Sequence, residues 1–113
     1  MSATPEGRVK ERVKNFLWER GLATLSHPVH NPVGFFRMHV PSGYGEPALD
    51  FEGAYKGRMW AIETKAPGNT PSAMQKLIMK MHHNALVFSM WGDDAADICK
   101  RLSEFFDHVD TLA

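Results

Sequence analysis

Cysteine is nearly absent from this chain: Cys99 stands alone among 113 residues. A lone thiol excludes an internal disulfide framework and any multi-cysteine zinc site. Its place in an apolar helical pattern makes it buried filler rather than a nucleophile. Long apolar runs are also missing, so no stretch could span a bilayer. The opening Met1-Ser2-Ala3-Thr4-Pro5-Glu6 has no apolar signal core. Cytoplasmic residence without membrane contact is the resulting expectation. There is no excess of either charge, since the formal net charge is zero, which argues against a strongly basic nucleic-acid binder. Repeats and low-complexity segments are lacking. His27-Pro28-Val29-His30 and His82-His83 lack the spacing of a helical two-histidine metal site, and no cysteine supports them.

The zero sum is unevenly distributed. Residues 1–92 carry 11 Lys and Arg against 7 Asp and Glu, and residues 93–113 carry 2 against 6. A basic face can therefore coexist with neutrality, as can two solvated helix faces of opposite sign. At 113 residues and 43% apolar content, the chain has room for one domain, 1–113, and no second core.

Thr4-Pro5 is a helix start, with a hydroxyl at the cap and proline at the first helical position. Val9, Val13, Phe16 and Leu17 follow at helical spacing, and Gly21 closes the element. Glu6, three residues before Val9, shares that stripe. Residues 22–34 read as irregular. Residues 35–40 alternate as a strand, and 41–47 form a Gly- and Pro-rich loop. Residues 48–55 and 58–65 are strands joined by a tight turn at Lys56-Gly57.

A second Thr-Pro start opens a helix over 71–83, with Met74, Leu77, Ile78 and Met81 as its apolar stripe. Residues 85–91 make an interior strand. A final helix over about 94–109 carries Ile98, Leu102, Phe105 and Val109. The helix 71–83 fits a right-handed crossover between parallel strands. The expected fold is α/β (α+β), a mixed sheet flanked by helices. Trp18, Trp60 and Trp91 read as core or dimer contacts, and the methionines as packing.

Three short runs interlock within this frame: Ala48-Leu49-Asp50-Phe51, Trp60-Ala61-Ile62-Glu63-Thr64-Lys65, and Lys65-Ala66-Pro67-Gly68. Glu63 and Lys65 share a strand face, because alternate side chains point the same way. The hairpin turn sets Asp50 opposite Glu63, and cross-strand neighbours come within about 5 Å. A carboxylate on an apolar face is costly to bury unless it is paired or binds a metal.

Hard oxygen donors favour Mg²⁺ or Mn²⁺ over Zn²⁺. Asp50, Glu63 and the Thr64 carbonyl are the candidate ligands. A water on such an ion, its pKa lowered, can attack phosphorus, and Lys65 can stabilise phosphoryl charge. Glu6 is placed for an outer-shell water or a second ion, or it merely suits the helix dipole. Gln75 is placed to position a water or a phosphate, or it is an exposed polar residue. An acid-x-Lys triplet is common by chance, so the weight lies in the combination.

The run from Ala48 to Gly68, followed by Gln75 and preceded by Glu6-x-x-Val9, resembles the VRR-NUC family of PD-(D/E)xK nucleases over about residues 5–91. Two details depart from the family pattern: Pro47 is displaced from Asp50, and His82-His83-Asn84-Ala85 stands where a glycine is usual. The resemblance implies a restriction-endonuclease-like αβββαβ core. It implies that Glu6, Asp50, Glu63, Lys65 and Gln75 are the active-site positions. The implied activity is Mg²⁺- or Mn²⁺-dependent hydrolysis of DNA phosphodiesters. Small stand-alone members, often carried by phages, tend to form homodimers and favour branched or flapped DNA. Lys10, Lys14, Arg37, Tyr44, Lys56, Arg58 and Lys76 are the candidate DNA contacts, with the loop 41–47 facing substrate. The rivals are a catalytically silent nuclease-fold module that binds DNA or a protein, and a structural assembly protein.

Overall fold

A computed structural model describes residues 4–40 and 45–112. Helix α1 (Pro5–Glu19) starts where expected: the Thr4 side chain accepts the Gly7 N–H at 3.0 Å. It buries Val9, Val13 and Leu17. Gly21, at φ +98°, turns the chain out of the helix, in a conformation that a side chain would disfavour. Strand β1 (Leu22–Ala23) then pairs in parallel with β2 (Gly34–Met38). β1 falls in the stretch read as irregular, because two residues carry no alternation.

Strands β3 (Phe51–Tyr55) and β4 (Arg58–Thr64) form the expected hairpin. Lys56 and Gly57 both have positive φ, which matches the right-handed strand twist. Helix α2 (Ala73–Asn84) crosses to β5 (Phe88–Gly92), which lies parallel to β4. Helix α3 (Ala95–Asp110) completes the chain. The sheet runs in the order β1-β2-β3-β4-β5, antiparallel at its centre and parallel at both edges.

The main core lies between the sheet and α1 plus α3. Trp60, Ile62, Phe51 and Phe36 meet Leu17, Ile98 and Phe106 there. On the other side α2 makes a thinner seam, where Met79 and Ile78 cover Ala61 and Leu49.

Several boundaries differ from the sequence reading. Ser72, not Thr70, caps α2, because a full capping box with Gln75 outcompetes the Thr-Pro pair. The left-handed residue after α2 is Leu86 (φ 62°), two positions beyond the helix end at Asn84. Phe106 takes the fully buried place in α3, while Phe105 stacks on Phe88 at 4.4 Å. Met74, Leu77 and Met81 are exposed rather than core, since α2 covers only part of its sheet face. Among the described residues, no helix is long and apolar enough to cross a membrane.

Candidate active site

The β3–β4 ladder ends on the pair Phe51–Ile62. Continued outward, that register sets Asp50 against Glu63, where the hairpin geometry puts them. Reciprocal bonds fix the pair. The Asp50 N–H donates to Glu63 Oε1 at 3.2 Å, and the Thr64 N–H donates to Asp50 Oδ2 at 2.9 Å. The Thr64 hydroxyl adds a third bond, to the same Oδ2 at 2.7 Å.

Different helices hold the two carboxylate heads. Asp50 Oδ1 lies 3.6 Å from Lys10 Nζ of α1, and that ammonium is also 3.2 Å from Glu6 Oε2. Glu63 Oε2 accepts from Gln75 Nε2 of α2 at 2.9 Å and lies 3.4 Å from Lys65 Nζ. Both carboxylates nevertheless line one cleft of about 220 Å³, together with His39, Ser72 and Gln75.

Electrostatics make this corner unusual. Glu63 is only 3% exposed. Burial first, and then the Asp50 charge, push its pKa up to about 7, against the downward pull of Lys65. Burial works against the Lys10 charge, but Asp50 and Glu6 outweigh it, so its pKa is raised. Three carboxylates, Glu6, Asp50 and Glu63, and two ammonium groups, Lys10 and Lys65, thus meet at one strand end. A larger hollow of about 750 Å³ opens between α1, the segment after β1 and the β2 edge. It is mostly apolar and contains no carboxylate among its lining residues, whereas the smaller cleft holds Asp50 and Glu63.

Each residue singled out in the sequence can now be placed. Asp50, Glu63, Lys65, Glu6 and Gln75 converge, directly or through Lys10. Gln75 is half-buried rather than exposed, and its Nε2 grips Glu63. Thr64, expected to offer its carbonyl, holds Asp50 through its N–H and hydroxyl. Lys10, expected to meet phosphate, bridges Glu6 and Asp50.

The other basic candidates lie farther out. Arg37 Nε donates to Glu52 at 2.6 Å, and Lys14 pairs with Glu11 at 3.0 Å. Lys76 is exposed beside Gln75 on α2. Lys56 in the hairpin turn and Arg58 just after it lie about 20 Å of strand from Asp50. Lys56 is tied there to Asp110 at 2.6 Å. Tyr44 and residues 41–44 lie outside the described residues. Ser72 escaped the sequence reading, although Ser-x-x-Gln is a capping-box signal. The Glu6–Lys10 pair, four apart on a helix, was equally legible as an ion pair.

A mixed five-stranded sheet with α1 and α3 on one face and α2 on the other is a restriction-endonuclease-like architecture. More narrowly, the chain has a VRR-NUC fold. It is similar to a solved structure described as "VRR_NUC domain", with a TM-score of 0.67 and 19% identity, over 90% of this chain and 97% of that one. No protein-family model matches the sequence. No curated protein matches it either.

Proposed function

We propose that this protein is a Mg²⁺- or Mn²⁺-dependent nuclease that hydrolyses DNA phosphodiesters at the Asp50–Glu63–Lys65 corner. The observation that carries the reading is Glu63, a carboxylate buried beside a second carboxylate, with its pKa raised to about 7. A purely structural site gains nothing from that arrangement, whereas a divalent cation relieves it. The donor set, hard carboxylate oxygens without sulfur, fits Mg²⁺ or Mn²⁺.

Asp50 and Glu63 would hold the ion. When bound, it supplies Lewis acidity and a water of lowered pKa. The chain's own residues do the rest. Thr64 clamps Asp50, and Gln75 and the Asp50 N–H aim the Glu63 carboxylate. Lys65, 16% exposed at its side chain and 3.4 Å from Glu63, would donate to a phosphoryl oxygen as charge develops. The finer expectations, branched or flapped DNA and a homodimer, rest on the family resemblance. The exposed Met74, Leu77 and Met81 of α2 are compatible with a partner surface.

One observation favours a second reading, a silent nuclease-fold module that binds DNA or a protein. Among the described residues, no three His, Cys, Asp or Glu side chains form a ready metal cage. Labelled single-stranded, duplex, flap and four-way DNA, incubated with Mg²⁺ or Mn²⁺, separates the two. The nuclease reading expects cleavage that Glu63→Gln and Lys65→Ala remove. Binding without cleavage on every substrate would leave the module.

A further inference from the structure

The Lys10 ammonium lies between two carboxylates. Its Nζ is 3.2 Å from Glu6 Oε2 and 3.6 Å from Asp50 Oδ1, with 28% of the side chain exposed. Glu6 and Lys10 are one turn apart on α1, so the helix presents both toward the strand end. Asp50 Oδ2 takes two bonds from Thr64, and Oδ1 faces Lys10. Two-ion phosphodiester sites set their ions about 3.5–4 Å apart and share a carboxylate between them. An ion shared by Glu6 and Asp50 would need the space that Lys10 fills, because Mg²⁺ binds oxygen at about 2.1 Å.

We infer that Lys10 replaces a second divalent cation, so that the site holds one divalent ion per chain, between Asp50 and Glu63. The inference rests on the nuclease reading above. Charge balance supports it. Glu6, Asp50 and Glu63, when ionised, face Lys10 and Lys65, which leaves a single negative charge. One divalent ion turns that into a single positive charge, suited to a phosphodiester. A second would build an excess that no described acid of the corner neutralises. Lys10 is on this view a positioning residue. It fixes the Asp50 head through a permanent charge that needs no metal supply.

The test counts ions without DNA. Mn²⁺ binding is followed by calorimetry and by electron paramagnetic resonance on wild type, Lys10→Met, Lys10→Arg and Lys10→Met/Glu6→Gln, each checked for fold by circular dichroism. Wild type and Lys10→Arg are expected to bind one ion per chain. Lys10→Met should take up a second, weaker ion with dipolar broadening of the spectrum, and removing Glu6 in that background should return the count to one. Two ions in wild type, or one ion in a folded Lys10→Met, overturns the inference and leaves the nuclease reading standing. Wild type that binds no ion, or binds one equally well after Asp50→Asn, removes the nuclease reading and this inference together. Should Lys10→Met not fold, Lys10→Gln and the wild-type count still decide.

Discussion

Gln75 holds Glu63 and caps its own helix with one side chain. Its Nε2 donates to Glu63 Oε2 at 2.9 Å, while its Oε1 accepts the Ser72 N–H at 2.8 Å. The N-terminus of α2 and the buried carboxylate of β4 are therefore mechanically joined. Gln75→Ala breaks both bonds and is expected to cost about 1–2 kcal/mol in urea denaturation. Gln75→Glu keeps the capping acceptor but sets a second carboxylate against Glu63, so its cost should grow as pH rises from 5 to 8. An alanine variant as stable as wild type would show that the link contributes nothing.

The raised pKa of Glu63 predicts how the metal-free protein responds to pH. Its folded value of about 7 exceeds the ordinary 4.5, so the folded state holds the proton more tightly. That contribution to stability is complete below pH 4.5 and is lost as pH rises through 7. In chelator, wild-type melting temperature should fall across this window relative to Glu63→Gln. Mn²⁺ should restore more stability at pH 8 than at pH 5, because it prefers the ionised carboxylate. Parallel melting curves for the two proteins across the window would contradict this.

Lys65 lies 3.4 Å from Glu63, and on the nuclease reading it also serves the substrate. Lys65→Ala should lower single-turnover DNA cleavage by about 10²-fold or more, the loss typical of removing a charge stabiliser. It should also move the acid limb of the pH–rate profile upward, since Lys65 lowers the Glu63 pKa. A rate loss with an unmoved acid limb would mean that the lysine does not tune the carboxylate.

The far corner of the hairpin should be silent in catalysis. Asp110 accepts from Tyr55 at 3.0 Å, pairs with Lys56 at 2.6 Å and meets Arg20 at 3.3 Å. The hydrogen bond from Lys56, chiefly, holds the Asp110 pKa below its ordinary value. Lys56→Ala should slightly reduce thermal stability, less so in high salt. It should leave cleavage within about twofold of wild type, as expected for an exposed pair remote from the chemistry. A severe cleavage defect would instead put DNA across the hairpin tip.

Local patterns carried much of this molecule in advance. Thr4-Pro5, Lys56-Gly57 and the Asp50–Glu63 register are short-range facts, set by caps, turn geometry and the two-residue period of strands. They needed no knowledge of distant contacts. The partners of Asp50 and Glu63 were not legible, because they depend on how α1 and α2 dock. The sequence could not show that Lys10 leans over the strand end rather than into solvent, or that Gln75 reaches Glu63 from the opposite face. The exposure of Met74, Leu77 and Met81 was hidden for the same reason: periodicity marks an apolar stripe, but only packing decides how much of it is covered.

What the chain order alone determined is the meeting of two acids and an amine at one end of a hairpin, because backbone periodicity is a local property. What only the tertiary structure decided is the charge state and grip of that corner. Burial, the Lys10 bridge and the Gln75 bond arise from helices brought across the sheet, and electrostatic energy depends on those through-space distances and on the exclusion of water.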